Sequence, residues 1–315
     1  MDRFSLRYAY RRLTRRLVVL YVAQVCISLV AVVACAVLTA QQFRTVTGLP
    51  ARLTLGEQLS WTFTLRFLPS GGNVLMVYLV LMASAYVVLP MLRANAWIAV
   101  LGGSIAAYVI SQCSDVSWTT VHTYPGHGPV QNWLAWQVLF VPAMVIGWKW
   151  TDWRVPQRLD AALGYLLVTS AVLWAVLKHG QRVGDWLYAE PSLTDKVDLG
   201  AVRVFTAWLV IPTVYGVFRR LLQWARRDWL RPLVLVGARS LDSYVIQAVA
   251  LIAIPTWIVM RPWNQSLSTV IVLTVFGICW GWALCRERLR IDRLHRLPLI
   301  LSEAARNTPS RRIHA

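Results

Sequence analysis

Charge is scarce in this chain. Asp, Glu, Lys and Arg make up 15% of its 315 residues, against 57% hydrophobic residues and a mean hydropathy of +0.51. Several charge-free runs approach the ~20 residues that cross a bilayer, and a soluble core of this size has no use for them. Histidine is rarer still, with five residues and none inside an apolar run. The five cysteines (Cys26, Cys35, Cys113, Cys279 and Cys285) form no CxxC pair. That spacing gives neither a disulfide framework nor a zinc site and leaves small apolar packing residues. No P-loop, nucleophile elbow, HExxH or dinucleotide-binding signature occurs. No metal and no resident cofactor are expected.

The charge that is present is mostly arginine, 29 against 3 lysines, a ratio read as compositional, and the formal net charge is +18. A nucleic-acid reading would need a basic face on a soluble domain. Here the arginines lie between apolar runs, so a bilayer partner fits and nucleic acid does not. Eight runs read as spans: 17–40, 73–92, 96–111, 132–147, 160–177, 199–218, 241–260 and 267–285. With the N-terminus inside, the inner segments hold 24 Lys and Arg and the outer segments 7. That asymmetry predicts an all-α polytopic membrane bundle with both termini cytoplasmic, in the cell inner or plasma membrane. Residues 1–290 form a single transmembrane domain in this reading, and the basic tail 291–315 is expected to be disordered.

The first run, about 24 residues, is long enough to span. Six arginines in the first sixteen residues suit a cytoplasmic flank better than a cleaved signal. Trp148, Trp150, Trp153, Trp224 and Trp229 cluster at run ends, as an interfacial aromatic belt would. The stretch LGEQLSWTFTLRFL, 55–68, mixes apolar and polar residues and is expected to lie along the outer surface. Pro90, Pro142, Pro212 and Pro255 fall in or at the ends of runs, where they kink helices and open cavities.

Polar groups inside a membrane are costly, so they mark interiors. In GARSLDSYVIQAV, residues Ser240, Ser243, Tyr244 and Gln247 share one helical face. Their stripe reads either as interhelical hydrogen bonding or as the wall of a polar cavity. Asp242 reads as an interfacial acid beside Arg239 and Arg231. Arg203 reaches outward to Asp198 or Asp195, or else is a charge-stabilising group in a cavity. In QNWLAWQVLFVP, Asn132 and Trp136 share a face and Gln137 adds an amide. They are either interface anchors or hydrogen-bonding groups for a sugar. The outer loop HTYPGHGP holds His122, Tyr124 and His127 at a spacing that matches no metal signature.

Three stretches together carry a resemblance. They are the arginine-rich lead into LVVLYVAQ, the run LRFLPSGGNVLMVYLVLMASAYVVLPMLR, and QNWLAWQVLFVPAMVIGW, joined by GARSLDSYVIQAV late in the chain. The third is similar to a family pattern close to N-P-L-A-W-Q-F-L-F-x-x-G. The chain resembles the OpgC-type membrane proteins, named for the succinyltransferase of osmoregulated periplasmic glucans and related to acyltransferase family three, over about residues 1–260. The resemblance implies about ten spans. It implies a cytoplasmic acyl thioester donor of the succinyl-coenzyme A type and a carbohydrate hydroxyl as acceptor on the outer side. Arg239 would then meet donor phosphates, Ser240, Tyr244 and Gln247 would line the cavity, and Asn132, Trp136 and Gln137 would face the acceptor. Arg203 and Asp242 complete the expected binding set.

The chain also departs from that family. It reads as starting in the basic loop before the third family helix, so the histidine considered catalytic has no counterpart. Trp133 follows Asn132 where the family has proline, and Gln247 stands where many relatives place histidine. Glutamine orients a hydroxyl but is no base near neutral pH. Two other readings stay open: a catalytically inactive remnant or subunit of the family, and a transporter or flippase. The last would show paired broken helices in two related halves, and the sequence has no such repeat.

Overall fold

A computed structural model describes residues 6–37, 54–69, 72–114, 117–125, 128–179, 191–224, 227–258 and 265–289. The chain is nearly all helix. Helices α1 (Leu6–Val37), α2 (Leu55–Phe63), α3 (Gly72–Arg93) and α4 (Trp97–Cys113) come first. A two-stranded hairpin, β1 (Thr120–His122) and β2 (Pro129–Asn132), follows. Helices α5 (Trp133–Trp148), α6 (Val155–His179), the short α7 (Pro191–Thr194), α8 (Ala201–Trp224), α9 (Arg227–Ala238), α10 (Ser240–Ile258) and α11 (Gln265–Arg288) complete the described chain. In lipid only such internally bonded segments can leave no backbone group unpaired.

Each of the eight apolar runs overlaps a described helix. Five described helices are long and apolar enough to cross a membrane, or six if the bent pair α9–α10 counts as one. Helices α4 and α5 are apolar but shorter, at 17 and 16 residues. The first helix begins at Leu6, inside the arginine run, so its basic turns are continuous with its apolar ones. The segment 219–240, expected as a cytoplasmic loop, instead holds the end of α8 and the whole of α9. The tail 291–315 lies outside the described residues, as do residues 38–53, which take in the end of the first run.

The described chain divides into two compact units, 1–225 with 247–261, and 226–246 with 262–315. In the first, α1 packs on α3, α4 on α5 and α6 on α8. The Tyr10 and Tyr86 rings meet at 5.2 Å, and the Thr14 and Tyr86 hydroxyls lie 2.6 Å apart, which sets the register of α1 on α3. Helices α4 and α5 are tied by a reciprocal bond. Ser104 Oγ donates to Gln137 Oε1 at 2.6 Å, and Gln137 Nε2 donates to the Ser104 carbonyl at 2.7 Å. Below that pair Val88, Leu92, Val100, Val141 and Val145 bury one another. On α6 and α8, Ser170 and Thr213 lie 3.1 Å apart, and Arg219 pairs with Asp160 at 3.2 Å.

In the second unit α9 packs on α11. The carboxylate of Asp242 accepts from Trp282 Nε1 at 3.2 Å and pairs with Arg286, while Arg231 pairs with Glu287 at 3.5 Å. Arg239 donates to the Ala283 carbonyl. The chain breaks at Arg239 with a bend of 85° between α9 and α10.

Helix α2 starts with a capping box: Thr54 Oγ accepts from the Glu57 N–H at 3.3 Å, and the Glu57 carboxylate accepts from the Thr54 N–H at 2.8 Å. The Thr54 backbone bond first, then its hydroxyl, holds the Glu57 carboxyl below its ordinary value. A depressed carboxyl stabilises above its unfolded value and loses that contribution as pH falls through the folded one. Amide protection in α2 is therefore expected to drop on acidification below the carboxylate range, and Thr54→Ala to weaken it by about 1 kcal/mol at neutral pH, read by hydrogen exchange. A Cβ at Gly200 would overlap the backbone carbonyls of Leu193 and Ser192. Gly200→Ala should cost about 1–3 kcal/mol, read as a lower Tm in detergent.

Candidate functional site

The hairpin between α4 and α5 forms one side of a cleft. Its strands pair Thr120 with Asn132, Val121 with Gln131 and His122 with Pro129, and the register slips between Val121 and His122. Such a bulge re-aims the side chain that follows it, here His122. Thr120 Oγ lies 3.0 Å from His122 Nε2. On the facing side the chain leaves α2 through a left-handed Leu65, φ 57°. The Arg66 and Phe67 amides then both bond the Trp61 carbonyl, at 2.8 and 3.1 Å. The Leu68 amide donates to the Thr123 carbonyl at 2.8 Å, fastening this turn to the hairpin.

Between turn and hairpin lies a cleft of about 630 Å³. Leu65, Leu68, Met76, Val80 and Val121 form its apolar wall, and Arg66, Thr120, His122 and Tyr124 bring polar groups. Two indoles complete it. Trp118, 72% exposed, sits 5.4 Å from Trp133 with the rings inclined at 59°. Leu68 and Val121 of this wall belong to a buried layer with Val77 and Leu81. Gln131, opposite Val121, is buried, and its Oε1 has no partner among the described residues. Indole faces take the apolar C–H faces of a ring, and a guanidinium donates in a fork to hydroxyls or carboxylates. An imidazole beside them is the side-chain type suited to accepting a hydroxyl proton.

The residues singled out from the sequence fall into two groups. Asn132 is buried, caps α5 by accepting from the Leu134 amide at 3.0 Å, and donates to Asp198 at 2.8 Å. Trp136 Nε1 donates to the Val197 carbonyl at 3.3 Å, and Gln137 is held by Ser104. Arg203 Nε donates to the Thr194 carbonyl at 2.7 Å, while the Asp195 carboxylate accepts from the Val197 and Asp198 amides. Asn132 and Trp136 thus meet the segment before Arg203, behind Trp133, and their amide and indole bonds go to protein. Arg239, Ser240, Asp242 and Tyr244 belong to the second unit, and Gln247 to the first. Along the polar stripe of α10 Ser243 is buried, and Ser240 and Gln247 are exposed. Asp242 takes Arg286 as its partner rather than Arg239 or Arg231.

The sequence pointed to His122 and Tyr124, and to Trp133 as a departure from a pattern. It gave no sign of Arg66, Trp118 or Gln131, because nothing in their spacing announces that a bulged hairpin brings them together. His127 lies outside the described residues.

Gln137→Ala strands the Ser104 hydroxyl in apolar surroundings and is expected to cost about 1–3 kcal/mol. Replacing both partners, Ser104→Ala with Gln137→Leu, should recover most of the loss in the same thermal melt.

A family model described as OpgC protein matches residues 1–291. No curated protein and no solved structure matches the chain.

Proposed function

The chain belongs to the OpgC family, and on that premise we propose that it moves an acyl group of the succinyl type from a cytoplasmic thioester donor to a hydroxyl of a cell-envelope glycan. The partners in this reading are the lipid bilayer, an acyl-coenzyme A donor and a carbohydrate acceptor. The chain crosses the inner membrane eight times, with α4 and α5 as short spans, α9–α10 as one broken span, and both termini cytoplasmic. That sets the hairpin on the outer side.

The observation that carries the reading is the cleft of Trp118, Trp133, Arg66 and His122. Its volume suits one or two sugar rings, its indoles suit their apolar faces, and Arg66 suits their hydroxyls. The acceptor hydroxyl lies toward His122, with Thr120 holding one ring nitrogen. Asn132, Trp136 and Gln137 frame the wall behind Trp133, and Arg203 secures the neighbouring turn. Around the α9–α10 break, Arg239, Ser240, Asp242, Tyr244 and Gln247 face the inner side.

A second reading has its own observation: no histidine lies within the eight apolar runs. It makes the protein a non-catalytic subunit that binds the glycan for another chain.

Proteoliposomes supplied with labelled succinyl-coenzyme A on one side and a glucan oligosaccharide on the other separate the two. Transfer by wild type and a loss of more than about tenfold in Trp118→Ala and in Arg66→Gln, with unchanged Tm, is the expected result. Binding of oligosaccharide without transfer would favour the subunit, and full activity in both variants would remove the cleft from the acceptor role. Sidedness has its own check, in a background without native cysteines. A cysteine at Thr123 should react with an impermeant maleimide on intact cells, and one at Ser310 only after lysis.

A further inference from the structure

One face of α1 is polar where it passes α2 and the turn that follows. Tyr21, Gln24 and Ser28, at i, i+3 and i+7, share that face. Tyr21 Oη donates to the Phe63 carbonyl at 2.9 Å, and Ser28 Oγ donates to the Phe67 carbonyl at 3.0 Å. Gln24 lies between them in sequence and is fully buried, as Ser28 is. Its Nε2 donates to Ser28 Oγ at 3.3 Å. A serine within a helix commonly turns its hydroxyl back to the carbonyl one turn before it. Here the Gln24 amide fills the acceptor side of the hydroxyl, and the proton goes to the turn.

The two carbonyls bracket Arg66. Phe63 is the last residue of α2, and Phe67 directly follows the arginine. Between them Leu65 is left-handed, φ 57°, and the Arg66 and Phe67 amides share the Trp61 carbonyl. Phe67 is fully buried, so its carbonyl needs a donor from protein, and irregular backbone in a membrane protein is tolerated only where such needs are met. From the hairpin side the Leu68 amide donates to the Thr123 carbonyl. Arg66 therefore stands in a turn fastened at both ends by α1 and once by the hairpin. The close approach leaves its mark at Gly72, where a Cβ would come within 2.7 Å of Gln24 Nε2. Gln24 also carries a cost: its buried Oε1 has no partner among the described residues, and a leucine there would have no such group to satisfy.

We propose that Tyr21, Gln24 and Ser28 are positioning residues for the hairpin cleft: they hold the Phe63 and Phe67 carbonyls and so keep the Arg66 guanidinium where it can donate to a glycan hydroxyl. The assignment rests on the acceptor reading of the cleft and deepens it. Without the Ser28 hydroxyl the buried Phe67 carbonyl has lost its side-chain donor, and the turn must move to find another. A small shift of the backbone at Arg66 is enough to lose a directed hydrogen bond, because such bonds weaken steeply outside a narrow range of distance and angle. Gln24 acts through Ser28, so its replacement by leucine separates positioning from stability.

The test titrates the full chain in nanodiscs with a glucan oligosaccharide. Tyr21→Phe with Ser28→Ala is expected to bind about tenfold more weakly than wild type, the scale of a hydrogen bond from a charged donor. Ser170→Ala, which removes a hydroxyl contact between α6 and α8, should stay within about twofold. Gln24→Leu should weaken binding while leaving Tm unchanged or raised, a combination that a purely structural role would not give. In an Arg66→Gln background the Tyr21/Ser28 pair should weaken binding by less than about twofold more, since it acts through that arginine. Wild-type affinity in the Tyr21/Ser28 or the Gln24 variant, or an equal loss in both backgrounds, would overturn the proposal. Deuterium uptake gives a readout that needs no sugar: the amides of residues 65–68 should exchange faster in the Tyr21/Ser28 variant and at the wild-type rate in Ser170→Ala. Unchanged exchange in the Tyr21/Ser28 variant would also overturn the proposal. Faster exchange there, with no oligosaccharide bound by wild type, would overturn the acceptor reading and leave the hold of α1 on the turn.

Discussion

The reciprocal pair between Ser104 and Gln137 fixes α4 on α5, and the upper part of the first unit hangs from that contact. An amide in a bilayer has few partners, and here the cheapest one is a serine whose hydroxyl and carbonyl satisfy both of its ends. With α5 held, Asn132 caps its first turn and reaches Asp198, and Trp136 reaches the Val197 carbonyl. Trp133 is thereby presented on the other side, where Trp118 meets it. The hairpin spans the short distance from α4 to α5 and brings His122 with it.

The same economy governs the charges. Asp242 takes Arg286 and the Trp282 indole, Asp160 takes Arg219, and Arg203 satisfies a helix-end carbonyl. Isolated, partly exposed pairs of this kind contribute little stability each, and their value lies in orientation. Arg12, Arg16 and Arg66 have no described acid beside them, and each lines a concavity.

Much of the fold was legible in the sequence, because length and hydropathy of a run are one-dimensional properties that a bilayer reads directly. All eight runs overlap described helices. The helical start of α1 inside the arginine run and the second helix in 219–240 were not legible, since arginine and proline-bearing segments carry no apolar length signal. The interhelical bond of Gln137 was not legible, since the residue read as an interface anchor or a sugar-binding amide, and its partner Ser104 was not legible either, because α4 has no polar stripe to announce it. The hairpin cleft was legible only through His122, Tyr124 and the odd Trp133. Its other half, Arg66 and Trp118, comes from segments about fifty residues apart, and only tertiary structure joins them.

The central claim is that the hairpin cleft binds carbohydrate through Trp118. A titration of the full chain in nanodiscs with a glucan oligosaccharide, following indole emission, tests it most directly. The account predicts a saturable change that is lost in Trp118→Leu and kept in Trp229→Leu, whose indole is also exposed. A saturable change of equal size in both variants, or none in wild type, would contradict it.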